Sequence, residues 1–274
     1  MTSAMAGRTR QTVAILTDFG YGDHYVGVMK GVIGSIAPKA SIIDITHGVP
    51  PQQVTAGALL LRESWRFFPR RTIFLAVVDP GVGTGRLPIA VDTRSGARFV
   101  GPDNGLLWSA AEAAGIESIV ELRAPRYRLP EVSATFHGRD VFAPAAAWLA
   151  TGVPIAALGP AMARMNRLDS VGVESHGREL RCRVVYVDHF GNLVTNLSRA
   201  DFEQFAARFR GQRLSVTIKR HSGIALRCAY GDAPAGAALA IFGSFQTLEV
   251  AVREGSAANR FAAGMGTGVT LRAH

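Results

Sequence analysis

The sequence predicts an α/β N-terminal domain with a mainly parallel sheet flanked by helices, followed by a smaller C-terminal antiparallel, β-barrel-like domain. Two observations carry this expectation. Up to Gly159, short β-branched runs alternate with stretches of helical periodicity, the rhythm of strand–helix–strand units that assemble a parallel sheet. From Leu180 onward, short strands follow one another across turns. Length agrees, because 274 residues, 48% of them hydrophobic, exceed what one core usually organises. The expected divisions are 1–165 for the first domain, 166–179 for a polar linker and 180–274 for the second domain. Two such domains are expected to meet at a cleft, a frequent ligand site.

Each element has its own signal. Residues 13–17 read as a buried strand, followed by a turn at Gly20 and Gly22. Residues 25–37 read as a helix, since Val26, Met29, Ile33 and Ile36 recur at helical spacing, and Pro38 ends it. Residues 41–45 form the second strand, and 54–67 the second helix, with Ala58, Leu61 and Trp65 on one stripe. The third strand, 72–78, runs straight into a glycine-rich loop at 80–85. Further strands are expected at 87–92 and 119–122, with a helix over 141–150. In the second domain the expected strands are 182–187, 214–218, 237–242, 247–252 and 268–271.

Bulk composition narrows the function classes. The net charge of +9 and pI of 10.3 raise the question of nucleic acid. Only Lys30, Lys39 and Lys219 are lysines; the arginines are spread along the chain. Arg62, Arg66, Arg70 and Arg71 read as the wet side of a helix and its exit. The sequence has no aromatic-studded basic motif of the RNA-binding kind, so no specific nucleic acid is expected as a partner. No run reaches the ~18 apolar residues of a membrane span, and the polar, basic opening lacks the apolar region of a secretory signal. A cytoplasmic protein without a membrane partner is expected. Cys182 and Cys228 read as buried free thiols, with a disulfide between them as the alternative.

Ligands of open α/β sheets sit beyond the carboxyl ends of the strands. Those ends here carry Thr17-Asp18-Phe19-Gly20, then Asp44-Ile45-Thr46-His47, then Asp79-Pro80-Gly81-Val82-Gly83-Thr84-Gly85-Arg86. A later segment, Thr135-Phe136-His137-Gly138-Arg139-Asp140, places polar groups ahead of a helix. Carboxylates, imidazoles and a guanidinium therefore gather where a pocket is expected. Each has a plainer reading as well: an aspartate at such a turn often caps a helix, as expected for Asp140, and the glycines relieve backbone strain. The glycine loop lacks the Lys-Ser/Thr ending of a P-loop and the dinucleotide fingerprint. His24 and His47 lack metal-ligand spacing, and a core or supporting role is expected for both.

Taken in order, these segments, with Gly27-Val28-Met29-Lys30-Gly31 and Gly101-Pro102-Asp103-Asn104-Gly105, resemble the S-adenosyl-L-methionine (SAM) hydroxide adenosyltransferase family, relatives of enzymes that attack SAM with fluoride or chloride. Asp188-His189-Phe190-Gly191-Asn192, Thr195-Asn196, Gly243-Ser244-Phe245 and Leu248-Glu249 carry the resemblance into the second domain. It spans roughly residues 12–260.

The resemblance implies a SAM hydrolase that uses water at the ribose C5′ to give adenosine and L-methionine, with no metal and no other cofactor. It places the family's Asp, Arg and His set on Asp79, Arg86 and His137. Asp18 is expected to take the ribose hydroxyls, Phe190 and Asn192 the adenine and ribose side, Asp188 and Ser244 the methionine ammonium and carboxylate, and Glu249 a further substrate contact. Phe190 has a core reading beside this one. Gly138 stands where the halogenating relatives carry a halide-binding serine, which favours water. Gln52 and Arg253 depart from the patterns of relatives near the adenine. The resemblance also implies a homotrimer, each site lying between neighbouring subunits. The alternatives are a halide-dependent SAM lyase, a SAM- or adenosine-binding protein without turnover, and a basic nucleic-acid-binding protein. Between Asp79 and His137, the sequence leaves the proton acceptor open.

Overall fold

A computed structural model describes residues 10–168 and 172–274. Residues 1–9, on which the reading of the chain's opening rests, and 169–171 of the expected linker lie outside the described residues. The chain divides into two compact units, Met1–Leu168 and Asp169–His274.

In the first unit, β1 (Thr12–Thr17), α1 (Tyr25–Ile36), β2 (Ser41–Thr46), α2 (Val54–Ser64), β3 (Ile73–Val77), β4 (Pro88–Thr93), β5 (Arg98–Pro102), α3 (Trp108–Ala114), β6 (Ile116–Glu121) and α4 (Ala143–Ala150) follow in order. The sheet order is β2-β1-β3-β5-β4-β6; β2, β1, β3 and β5 run parallel, and β4 is antiparallel to both its neighbours. Every residue of β1 and β3 is buried, as central strands covered on both faces require. Val13, Ile15, Leu75 and Val77 pack with Met29 and Ile33 of α1 and with Phe142, Ala146 and Leu149 around α4. On the other face α2 packs against α3. Gly57 of α2 has no room for a side chain, because an added Cβ would lie 2.9 Å from Leu106 and 3.0 Å from Val78.

The second unit holds β7 (Glu174–His176), β8 (Glu179–Val187), β9 (Leu193–Ser198), α5 (Arg199–Ala207), β10 (Leu214–Ile218), β11 (His221–Ala225), β12 (Ala238–Phe242), β13 (Thr247–Val252), α6 (Ala257–Phe261) and β14 (Gly268–Ala273). The order is β11-β10-β14-β8-β9-β13-β12, antiparallel throughout, with β7 added beside β8. A bridge between Leu226 and Ala240 ties the end beyond β11 to β12, so the sheet nearly closes into a barrel. Leu193, Val216, Leu248, Val250, Leu271 and Phe261 fill it.

The two-part fold class is the one the sequence predicts. The elements missed are β5, α3, β7, β9, β11, α5 and α6. Glu174–His176 forms a strand inside the stretch read as a polar linker. Helix 54–67 is α only to Ser64 and closes in a 3₁₀ turn, Trp65–Phe67. Both cysteines are free, but Cys228 is exposed rather than buried. Burial pushes the Cys182 thiol up to about 12, which leaves it unreactive at neutral pH. Among the described residues no helix is long and apolar enough to cross a membrane.

Candidate active site

In the first unit the glycine-rich loop after β3 folds back so that Arg86 meets Asp79. The guanidinium Nε donates to Asp79 Oδ1 at 2.9 Å and Oδ2 at 3.0 Å, and Nη2 donates to Oδ2 as well. Nη2 also stands 3.0 Å from His137 Nδ1. Guanidinium can only donate, so Nδ1 must accept, and a neutral His137 carries its proton on Nε2. Burial, then the Arg86 charge, holds the His137 imidazole below its ordinary value, with Asp79 opposing in part. Asp79 and Arg86 are almost wholly buried, and Phe142 supplies a ring 5.1 Å below the guanidinium. The three residues expected to act together do converge.

Local backbone explains how. Asn104 Nδ2 donates to the Val78 carbonyl at 2.8 Å and anchors the end of β3 beside Asp79. Gly83, at φ +76°, lets the loop press on the 134–137 segment; a Cβ there would lie 2.5 Å from the Ala134 carbonyl oxygen. Its glycine therefore serves a close approach between the Arg86 loop and the segment leading into His137, which the strain-relief reading did not capture. His137 opens a single π-helical turn, Gly138–Phe142, ahead of α4, a form common at functional sites. Asp140, expected as a helix cap, is fully buried inside that turn and instead accepts from Ser133 N at 2.9 Å and from Arg139.

Asp18, Phe19, Tyr25, Pro51, Gln52, Asp79, Pro80 and Val82 line one cleft of about 380 Å³. Asp18 and Asp79, from different strand ends, thus face a common space. Asp18 Oδ2 accepts from the Gln52 backbone N–H at 2.8 Å, and Gln52 holds a left-handed φ of 65° to present it. One wall is aromatic: Phe19 and Tyr25 line it and the buried Phe136 backs them, the three rings meeting edge-on or tilted at 5.1–6.0 Å between centroids. Gly138 sits under that wall, where a Cβ would lie 3.2 Å from Phe136, 3.3 Å from Met29 and 3.4 Å from Phe19. Arg86 also borders a shallow depression of about 470 Å³ lined by Asp103 and residues 162–166. There Asp103 accepts from Asn166 N at 2.7 Å, and burial raises its carboxyl.

In the second unit the β8–β9 turn is organised by Asp188. Its Oδ1 accepts from the backbone N–H groups of Phe190 and Asn192 at 2.9 and 2.8 Å, and its Oδ2 from Asn192 Nδ2 at 2.9 Å. Phe190 is 73% exposed, so its core reading fails; the turn holds it outward. Glu249 is buried and accepts from the Tyr230 hydroxyl. Burial raises Glu249, Tyr230 opposes, and Asp188 adds to the rise; Tyr230 is itself raised by burial and by Glu249. Gly243 lies against this carboxylate, and Ser244, next to it, is exposed. Asp188, Asn192 and Glu249 therefore form one polar group in the barrel, and Tyr230 is a member that sequence reading missed. Arg253 donates to the carbonyls of Ala233 (2.7 Å) and Gly231 (3.3 Å), so it supports the turn bearing Tyr230. His24 is exposed, against a core role, and stacks on Tyr25 of the cleft; His47 is buried, as expected. Among the described residues no cluster of three or more His, Cys, Asp or Glu is arranged to hold a metal.

Both units match domain models of one family of enzymes, the SAM hydroxide adenosyltransferases. The family's N-terminal domain model matches residues 13–159 and its C-terminal domain model residues 182–270; the chain belongs to that family. It is 40% identical over 253 residues to an (R)-S-adenosyl-L-methionine hydrolase of Salinispora arenicola, covering 91% of this chain and 93% of the relative. A protein of the same name from Thermus thermophilus is 40% identical over 272 residues, 95% of this chain and 98% of the relative. A fluorinase of Nocardia brasiliensis is more distant, at 30% over 237 residues, 76% and 78% of the two chains. Among solved structures, an uncharacterized conserved protein from Thermotoga maritima superposes with a TM-score of 0.87 at 36% identity, covering 95% of this chain and 99% of that one.

Proposed function

We propose that this chain is a hydrolase that cleaves SAM with water at the ribose C5′, giving adenosine and L-methionine. The observation that carries the reading is the Arg86 guanidinium bridging Asp79 and His137 at the edge of a cleft that also holds Asp18. The names of the relatives at about 40% identity support it.

In this reaction a C5′–O bond forms as the C5′–S bond breaks. The bonding pair leaves with sulfur, and methionine departs as a neutral thioether, so no acid is required at the leaving group. No Lewis acid is required at the sulfur for the same reason. The difficulty is the nucleophile, because free water has a pKa near ~15.7. A water held in line behind C5′ gains from positioning alone, and its proton must go to a base. His137 Nδ1 is engaged by Arg86, which leaves its Nε2–H as a donor that orients the water. Each Asp79 oxygen has two lone pairs, and Oδ1 takes a single bond from Arg86, so Asp79 retains capacity to accept the proton. Asp79 is the proposed base, Arg86 the fixed charge that orients both partners, and His137 the positioning donor.

Asp18 is proposed to accept from the two ribose hydroxyls. In the second unit, Asp188 and Ser244 are proposed to hold the methionine ammonium and carboxylate, and Phe190 and Asn192 the adenine and ribose side. Glu249, already bonded to Tyr230, is proposed to act on substrate through Asp188 and its turn. The proposed assembly is a homotrimer in the cytoplasm, for which light scattering on the purified chain is the test. Product analysis in oxygen-18 water tests the reaction: label is expected in the adenosine 5′-hydroxyl. Formation of 5′-chloro-5′-deoxyadenosine in chloride, or bound SAM with no product, would replace this reading.

A further inference from the structure

The Asp44-Ile45-Thr46-His47 segment is given no part in the chemistry above, yet it holds the most deeply buried histidine of the first unit's strand ends. The His47 side chain is wholly buried. Its Nδ1 is 2.7 Å from Thr17 Oγ1, and its Nε2 is 3.2 Å from Asp44 Oδ1, bent away from a good hydrogen-bond line. Asp44 Oδ2 accepts from Lys30 Nζ at 2.7 Å and from the Tyr21 hydroxyl at 2.9 Å. Tyr21 also lies edge-on to the imidazole, 5.0 Å between centroids.

One arrangement of protons is consistent with every one of these contacts. Phe19 N–H donates to Thr17 Oγ1 at 3.2 Å, the Thr17 hydroxyl donates to His47 Nδ1, and His47 Nε2–H faces the Asp44 carboxylate. Burial keeps the His47 imidazole below its ordinary value, with Asp44 opposing, which suits this neutral form. Burial alone would raise Asp44, but the bonds from Lys30 and Tyr21 and the nearby His47 imidazole outweigh it and lower the carboxyl.

The chain ends on the two residues that flank Asp18. Three further bonds tie the same loops: Gly20 N to His47 O at 2.8 Å, Val49 N to Thr17 O at 3.4 Å, and Gln52 N to Asp18 Oδ2 at 2.8 Å. The strand pairing is arranged for this. Ile15 pairs with Asp44 and Leu16 with Thr46, so Ile45 is skipped. In unbroken alternation residues three apart face opposite sides; the extra residue brings Asp44 and His47 together, as bulges beside active sites commonly do.

We infer that His47, with Thr17 and Asp44, is a positioning device that fixes Asp18 for the substrate, acting on grip rather than on the attacking water. This rests on the proposed role of Asp18 at the ribose. Steady-state kinetics on the full chain test it, with melting temperature measured alongside. Thr17→Val is expected to raise KM for SAM about tenfold, the scale of one lost buried hydrogen bond, with kcat within about twofold; Thr17→Ser is expected to restore KM. Asp44→Asn, at a partly exposed site, is expected to shift KM the same way by a smaller factor, and it decides the matter if Thr17→Val does not fold. A folded Thr17→Val or Asp44→Asn with wild-type KM, or one that loses kcat with KM unchanged, overturns the inference. Asp18→Asn separates the two levels. If it raises KM while Thr17→Val and Asp44→Asn do not, the positioning device alone fails; if it leaves KM unchanged, the ribose role of Asp18 fails.

Discussion

Arg86 donates through Nη2 to His137 Nδ1 at 3.0 Å, and that one contact decides which way the imidazole proton faces. Protonating His137 would set an N–H against the guanidinium and break the contact. Because burial and Arg86 depress this group, the active neutral form persists below the ordinary histidine value of 6.5. The acid limb of kcat/KM is therefore expected at a pH under 6.5, falling as pH falls. An acid limb at or above 6.5 that vanishes in His137→Asn would contradict the depressed titration. The same sign holds for stability: the unfolded chain takes up the proton first, so this contribution is complete above 6.5 and is lost as pH drops toward the folded value.

Arg86→Lys retains the charge but cannot reach Asp79 through two nitrogens and His137 at the same time. It is expected to lower kcat by ~10²–10⁴, the range for mispositioned acid–base groups, with KM changed far less. Single-turnover measurement separates the two. A lysine variant as fast as the parent would show that charge alone suffices.

The two glycines flanking Thr84 should behave differently. Gly83 has a left-handed φ and a backbone carbonyl against its Cα, whereas an added Cβ at Gly85 meets nothing within 4 Å. Gly83→Ala is expected to reduce kcat at least about tenfold by lifting the Arg86 loop off the His137 segment. Gly85→Ala is expected to stay within about twofold. Equal effects in a side-by-side assay would remove Gly83 from the account.

In the barrel, Tyr230→Phe leaves the buried Glu249 carboxylate without its hydroxyl donor and is expected to cost about 1–3 kcal/mol in denaturant unfolding. Glu249→Gln keeps an acceptor and removes the charge. The Glu249 carboxyl titrates above its unfolded value of 4.5, so wild-type stability drawn from the neutral form is full below 4.5 and declines as pH rises through the folded value. Glu249→Gln should escape that decline. Parallel curves of melting temperature against pH for the two proteins would refute the raised titration.

Much of this was readable beforehand, and the reasons differ by element. β1 and β3 are continuous apolar runs buried on both faces, so their signal is local and complete. β5 was hidden because Gly101-Pro102 ends it and reads as a turn; α3 is short, and its Trp108 and alanines show little periodicity. β9 lies inside a segment whose polar Thr195 and Asn196 read as motif rather than strand, although Thr195 is buried and donates to the Leu248 carbonyl at 2.7 Å. Asp79, Arg86 and His137 were legible as residues, but the bond directions were not. These depend on the fold of a loop against a segment some fifty positions later. Tyr230 gave no local signal, since its partner Glu249 lies 19 residues further on, in β13.

The skipped Ile45 has a consequence for how this strand can vary. In a regular strand a gained or lost residue turns every side chain beyond it to the other face. Here a one-residue deletion would mend the ladder with β1 and make a more regular sheet, while turning the histidine toward the opposite layer. The more orderly strand would be the one that can no longer serve the cleft.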